Sequence, residues 1–162
     1  MHETLVLKLL VLIAVANATP VAAKLVFGEA FAQPLDGNAK FFDGRPLFGA
    51  SKTVRGVILA VLVTAATAPL LGFSFTLGAV IGALAMTGDL FSSLIKRRLG
   101  LRPSSKAIGL DQIPESLFPV IGALFFLHLT IIDIAAVVFL FAAGELLLSP
   151  ILFRLNLRDR PY

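Results

Sequence analysis

Apolar residues run along this chain in long blocks, and the polar residues collect between them. Five segments fall in the range of about 17–25 residues that crosses a hydrocarbon core: 3–23, 54–71, 75–95, 112–128 and 132–153. The last two come from one apolar stretch, Ile113 to Phe153, divided by a turn placed near Leu127 to Ile132. No strict alternation of polar and apolar positions runs long enough for a barrel. The pattern predicts an all-α integral membrane protein of five transmembrane helices, with polar loops over 24–53 and 96–111. Residues 1–162 form one membrane-embedded domain in this reading.

Composition agrees. Only 15% of the 162 residues are charged, 57% are hydrophobic, and the mean hydropathy is +0.92. A soluble domain carries about 25% charged residues. Leu5 to Ala16 followed by Ala16-Asn17-Ala18 looks like a secretion signal, but Met1-His2-Glu3-Thr4 lacks the basic residue a signal needs, so the segment is read as a retained helix.

Charge then orients the spans. Of the 14 basic residues, only Lys8 lies outside the two polar loops, their flanks and the C-terminal tail. Five spans put those three segments on one side. The positive-inside rule makes that side cytoplasmic and places the N-terminus outside, the C-terminus inside. The net charge of +4 would otherwise raise nucleic acid as a partner. Here the basic residues sit between spans, so the membrane is the partner. There is no cysteine, and His2 and His128 are too few for a zinc site.

The chemistry-bearing residues lie beside the loops. In Thr87 to Arg98, Asp89, Ser92, Ser93 and Lys96 follow helical spacing and share one face, with Leu90, Phe91, Leu94 and Ile95 opposite. An acid within a span is a functional candidate by default. A carboxylate, hydroxyls and a cation together suit a divalent metal bound to phosphate; the plainer alternative is an Asp89–Lys96 ion pair closing the helix end. Asp111 begins the next span on the same side, so it can share a cavity with Asp89 as a second Mg²⁺ ligand, or it simply caps that helix. The first loop runs Asp36-Gly37 through Gly49-Ala50-Ser51-Lys52-Thr53. It is no P-loop, because Ala50-Ser51 separates glycine from lysine and no strand precedes it. Glycines, Lys52 and a helix starting at Thr53 can still cradle an anion; a solvated, turn-rich loop is the alternative. Asn17 near Pro20 suits helix–helix contact or a substrate contact. Glu145, mid-span, must pair or face a cavity, and Asp133 falls at the outer interface.

Asn17-Ala18-Thr19-Pro20, the first-loop stretch, Gly88-Asp89 through Lys96-Arg97-Arg98-Leu99-Gly100, and Asp111-Gln112-Ile113-Pro114 together resemble the CDP-archaeol synthases. These are small five-span relatives of the CDP-diacylglycerol synthases. The resemblance covers nearly the whole chain in order. The His-Gly-Gly…Asp-Arg signature of the larger relatives is absent, which favours the small branch. The resemblance implies CTP plus a lipid phosphate from the inner leaflet giving a CDP-lipid and pyrophosphate, with Mg²⁺, at the cytoplasmic face of the cell membrane. It implies metal ligation by Asp89 and Asp111, and neutralisation of the triphosphate by Lys96 and Arg97. Gly49, Ser51, Lys52, Thr53, Ser93, Lys106 and Gln112 would bind nucleotide or phosphate, with Asn17, Asp36 and Asp43 as further site members. Two rival readings stand beside it. The CDP-alcohol phosphotransferases need a second acid four residues after Asp43, and none is there. A small transporter or channel subunit would use Asp89 and Glu145 as ion sites, but no inverted repeat is visible.

Overall fold

The structure is a computed structural model. It describes residues 2–102, 105 and 107–154, with side chains as far as Leu148. Lys106 and the tail beyond Arg154 lie outside the described residues.

Five α-helices alternate in direction: α1 (Glu3–Phe27), α2 (Val54–Thr67), α3 (Phe75–Arg98), α4 (Gln112–Ala123) and α5 (Ile131–Arg154). Four candidate spans are long and apolar enough to cross a membrane: Glu3–Phe27, Val54–Leu71, Phe75–Arg98 and Ile131–Leu148. The second consists of α2 and a 3-10 turn at Ala68–Leu71. At 1.5 and 2.0 Å per residue these reach roughly 29 Å, about one hydrocarbon thickness. Thr53 and Ser74 start α2 and α3 by accepting hydrogen bonds from the Gly56 and Leu77 amides.

The expected span at 112–128 is corrected. α4 has 12 residues, a length of roughly 18 Å, too short to cross alone. The turn also moves, from 127–132 to the segment between Ala123 and Ile131. The reason lies in the preceding loop, which descends along α3. Ser92 Oγ bonds the Leu110 carbonyl at 2.7 Å, six residues before the end of α3, so α4 starts roughly 9 Å below that end. Below Ser92 comes Gly88, where Cα lies so close to α4 that a methyl would overlap the Pro114 carbonyl and stand 2.8 Å from the Glu115 nitrogen. Recessed in this way, α4 and the segment after it bring the chain to the far end of the bundle.

The core fills that far half. Val6, Leu9, Leu12 and Ile13 of α1 pack with Leu77, Ile81, Val120, Ala123 and Val137. At its end, fully buried Asp133 accepts from the His2 backbone N–H at 2.7 Å and from the Thr130 amide and hydroxyl at 2.9 and 2.8 Å. It fastens the start of α5 to the start of α1. Apolar packing therefore concentrates at one end, and the polar site occupies the other.

Gly88→Ala should lower the midpoint of thermal unfolding in detergent, because the new Cβ meets backbone atoms that cannot rotate away. The expected cost is about 1–3 kcal/mol. Gly144→Ala, with nothing within 4 Å of the added carbon, should leave the midpoint unchanged or raise it. Equal behaviour of the two variants would contradict the close α3–α4 approach.

Candidate functional site

The polar face of α3 turns inward. Ser92, Ser93, Lys96 and Arg97 are all buried. Asp89 does not pair with Lys96, since seven helical residues separate the two by roughly 10 Å. Its partner is Lys52, whose Nζ donates to both carboxylate oxygens at 2.5 and 2.6 Å. Lys96 instead meets Asp111 Oδ1 at 2.6 Å and donates to the Ser105 carbonyl at 3.2 Å. Two lysine–carboxylate pairs thus stand at different heights along α3. All four side chains are largely buried, with Lys52 and Asp89 22% and 20% exposed, Lys96 and Asp111 10% and 13%.

Backbone pairing delivers Lys52 to Asp89. The Leu35 amide donates to the Lys52 carbonyl at 2.7 Å, and the Val54 amide to the Gln33 carbonyl at 3.0 Å. Burial pulls the Lys52 ammonium down, but the Asp89 carboxylate against it, with Glu115 and Asp111 further off, outweighs this and holds Lys52 above its ordinary value of 10.5. Asp111 is not the helix cap weighed from sequence. Its side chain makes no cap bond and turns back to the loop, where Oδ2 accepts from the Ala107 amide at 2.9 Å. Gln112 Oε1 likewise accepts from the Gly109 amide at 2.8 Å.

The first loop is organised by its own acids. Asp36 Oδ2 accepts from the Phe48 and Gly49 amides at 3.0 and 3.1 Å, and Oδ1 from Asn38 at 3.0 Å. Gly49 holds φ at 98°, a backbone conformation that favours glycine; its N–H is committed to Asp36 and not to an incoming anion. Partial burial pushes the Asp36 carboxyl up, but these three amides outweigh it and keep it below 3.8. Asp43 pairs with Arg98 at 2.6 Å. Arg98 also donates to the Pro46 carbonyl and stacks on Phe41, while Arg45 donates to the Arg98 carbonyl at 2.6 Å. Asp36 and Asp43 therefore shape the loop and clamp it over the end of α3. Arg97 donates to the Arg102 carbonyl at 2.9 Å, and Asn17 to the Ile13 carbonyl of its own helix at 3.0 Å.

A notch opens beside the first pair. Its lining combines the polar Ser51, Lys52, Thr53 and Asp89 with the apolar Pro20, Val57, Met86 and Leu90. Glu115 was not singled out in the sequence. It is buried on α4, and Asp89 and Glu145 of α5 lie within its electrostatic reach. The available signal was its position four residues after Asp111, one helical turn into α4 from its N-cap position.

Among the described residues, no three His, Cys, Asp or Glu side chains gather to hold a metal ion. The residues present nevertheless fit Mg²⁺, which is commonly bound by one or two carboxylates with substrate phosphates supplying the rest. Asp89 and Asp111 are oxygen donors of the right kind. Asp111 Oδ1 touches Lys96 only as an ion pair and accepts no directed hydrogen bond.

A CarS-like CDP-archaeol synthase family model matches residues 67–162. The CDP-archaeol synthase of Sulfurisphaera tokodaii is 33% identical over 135 residues, covering 80% of this chain and 81% of that one. The chain belongs to the CDP-archaeol synthase family. The Saccharolobus solfataricus CDP-archaeol synthase is 34% identical over 116 residues, 68% of either chain. The Thermococcus onnurineus CDP-archaeol synthase is 39% identical over 109 residues, 60% of this chain and 61% of that one. A solved intramembrane enzyme for archaeal membrane lipids biosynthesis superposes with a TM-score of 0.70 at 28% identity, covering 93% of this chain and 92% of its own.

The Asp36 network has a pH signature. A carboxyl held below its unfolded value stabilises the fold above 3.8, and the effect disappears as pH falls through the depressed value. Hydrogen exchange at the Phe48 and Gly49 amides, corrected for intrinsic rate, should stay protected down to pH 3.8 and weaken only below it. Asp36→Asn should speed exchange at both amides about tenfold at neutral pH. Unchanged exchange in that variant would remove Asp36 as the loop's organiser.

Proposed function

We propose that the two lysine–carboxylate pairs of α3 carry out cytidylyl transfer from CTP to a lipid phosphate, at the cytoplasmic face of the cell membrane. Membership of the CDP-archaeol synthase family makes the chain a membrane enzyme that forms a CDP-activated lipid. The observation that carries the site assignment is the pairing of Lys52 with Asp89 and Lys96 with Asp111 on one buried polar face.

In the reaction, an oxygen of the lipid phosphate attacks the α-phosphorus of CTP. A new P–O bond forms, the bond from the α-phosphorus to the bridging oxygen breaks, and pyrophosphate leaves with that electron pair. A phosphate oxygen is already nucleophilic at neutral pH, so no serine, cysteine or histidine is required. What the protein must supply is placement of two polyanions and relief of their repulsion. Lys96 and Arg97 bind the triphosphate and take up charge on the departing pyrophosphate. Lys52 holds a phosphate against Asp89, and Ser93 completes the face. Asp89 and Asp111 would hold Mg²⁺, which polarises phosphoryl oxygens when bound. The basic loops face the cytoplasm and the N-terminus the outside, which lets CTP arrive from water while the lipid arrives from the inner leaflet.

Purified protein given radiolabelled CTP, Mg²⁺ and a lipid phosphate should release pyrophosphate only when both substrates are present. Chelation by EDTA should stop the reaction, and added Mg²⁺ should restore it. Asp89→Asn should cut turnover by about 10²-fold or more while the thermal midpoint shows a folded protein. Wild-type turnover in that variant would end the assignment of Asp89. Lys96→Ala should mainly raise the CTP concentration needed for half-maximal rate; an unchanged CTP dependence would count against its role.

A further inference from the structure

The two pairs differ in what surrounds them. The Lys96–Asp111 pair lies within one turn of the end of α3, under the second loop, with Arg97 buried beside it. The Lys52–Asp89 pair lies deeper. Asp89 precedes Arg98 by nine residues, roughly 13 Å along the helix. Its notch has a mixed lining, in which the polar Ser51, Lys52, Thr53 and Asp89 are joined by the apolar Pro20 of α1, Val57 of α2, and Met86 and Leu90 of α3.

The geometry points to this notch as the subsite for the lipid phosphate, with Lys52 on its phosphate and the Pro20, Val57, Met86 and Leu90 wall on the apolar stem just beyond. The inference rests on the cytidylyl-transfer reading above and adds which substrate goes where.

Three features argue for it. The first is charge. Among the described residues, Lys52 is the one cation lining the notch, where it is paired with Asp89; one cation whose carboxylate partner a substrate anion can replace suits a phosphate monoester. CTP carries more negative charge, and Lys96 with Arg97 offer it two cations. The second is amphiphilicity. A phosphate joined to an apolar stem needs a cation and a greasy wall within a few ångströms of each other. A nucleotide would leave that wall in contact with phosphate and sugar, and polar groups set against an apolar surface lose hydrogen bonds without replacement. The third is access. Asp89 lies roughly 13 Å below the loop end of α3, at a depth a membrane lipid reaches sideways. The two subsites share one helix, with Asp89 and Lys96 roughly 10 Å apart along α3, so a phosphate on Lys52 can approach a nucleotide held at Lys96.

The wall also predicts which residues set lipid preference. Met86 is buried and unbranched, able to adapt to the stem it faces. Leu90 is only half-buried, so enlarging it disturbs the helix core least.

The test is kinetic and uses the full-length protein in detergent with radiolabelled CTP and a lipid phosphate. Leu90→Trp and Met86→Phe should each raise the lipid phosphate concentration for half-maximal rate about tenfold. The CTP value should stay within about twofold, and direct binding of labelled CTP should persist, which also shows that the variants are folded. Lys52→Ala should follow the same pattern, while Lys96→Ala should show the reverse. The inference is overturned if Leu90→Trp weakens CTP binding and leaves the lipid dependence alone, or if both dependences are unchanged. A wild-type protein that makes no CDP-lipid would instead bring down the reaction itself, before any variant is compared.

Discussion

A charge below the membrane surface must be neutralised by a neighbour, because the hydrocarbon offers it no water. That requirement shapes the polar half of this molecule. Asp89 is placed by the spacing of α3, and the first loop must fold so that Lys52 reaches it. Lys96 sits one face-repeat higher, and the second loop must descend so that Asp111 reaches it. Each loop is thus tied to the same helix by one lysine–carboxylate contact, and the site is the place where the two loops meet.

The two anchors need different backbones. The first loop reaches α3 from outside and is braced by Asp36, with Arg45, Arg98 and Asp43 clamping it over the helix end. The second loop runs down α3 itself, and only glycine at position 88 lets Pro114 come close enough. Shortening α4 to 12 residues follows from that descent. The same descent puts Glu115 against Asp89, so a helix that looks incomplete as a span is what brings a third carboxyl to the site.

Long apolar blocks made the helices legible from the sequence, and α1, α2, α3 and α5 begin within a residue of the expected positions. The polar face of α3 was legible too, because helical spacing fixes which side chains share a face. The pairings were not. Helical spacing offered an Asp89–Lys96 pair only as the plainer alternative, and the observed partners are 37 and 15 residues apart along the chain, a matter of loop path that no periodicity records. A cap stood as the alternative for Asp111 for the same reason: its local neighbourhood is that of a helix start, and only the descended loop offers it the Ala107 amide and Lys96. α4 read as a full span because apolar content measures how much residues tolerate lipid, not how deep a helix begins.

On the proposed function, the pairs also bear on how a largely buried site would bind anions. An ammonium brought below the surface gives up hydration, and that cost is met when the protein folds, with a carboxylate as the compensating partner. Lys52 and Lys96 are therefore largely buried and held in place by the folded chain before any substrate binds. A phosphate that takes the place of a carboxylate on either lysine exchanges one anion for another and does not strip a fresh cation of its water. Electrostatic stabilisation of this kind is strong because little reorganisation remains to be done at the moment of reaction. On this argument the carboxylates are more than neutralising partners. On the proposed function, Asp89 and Asp111 would hold each lysine ready for a phosphate, and the two heights along α3 would keep two polyanions in order on one helix.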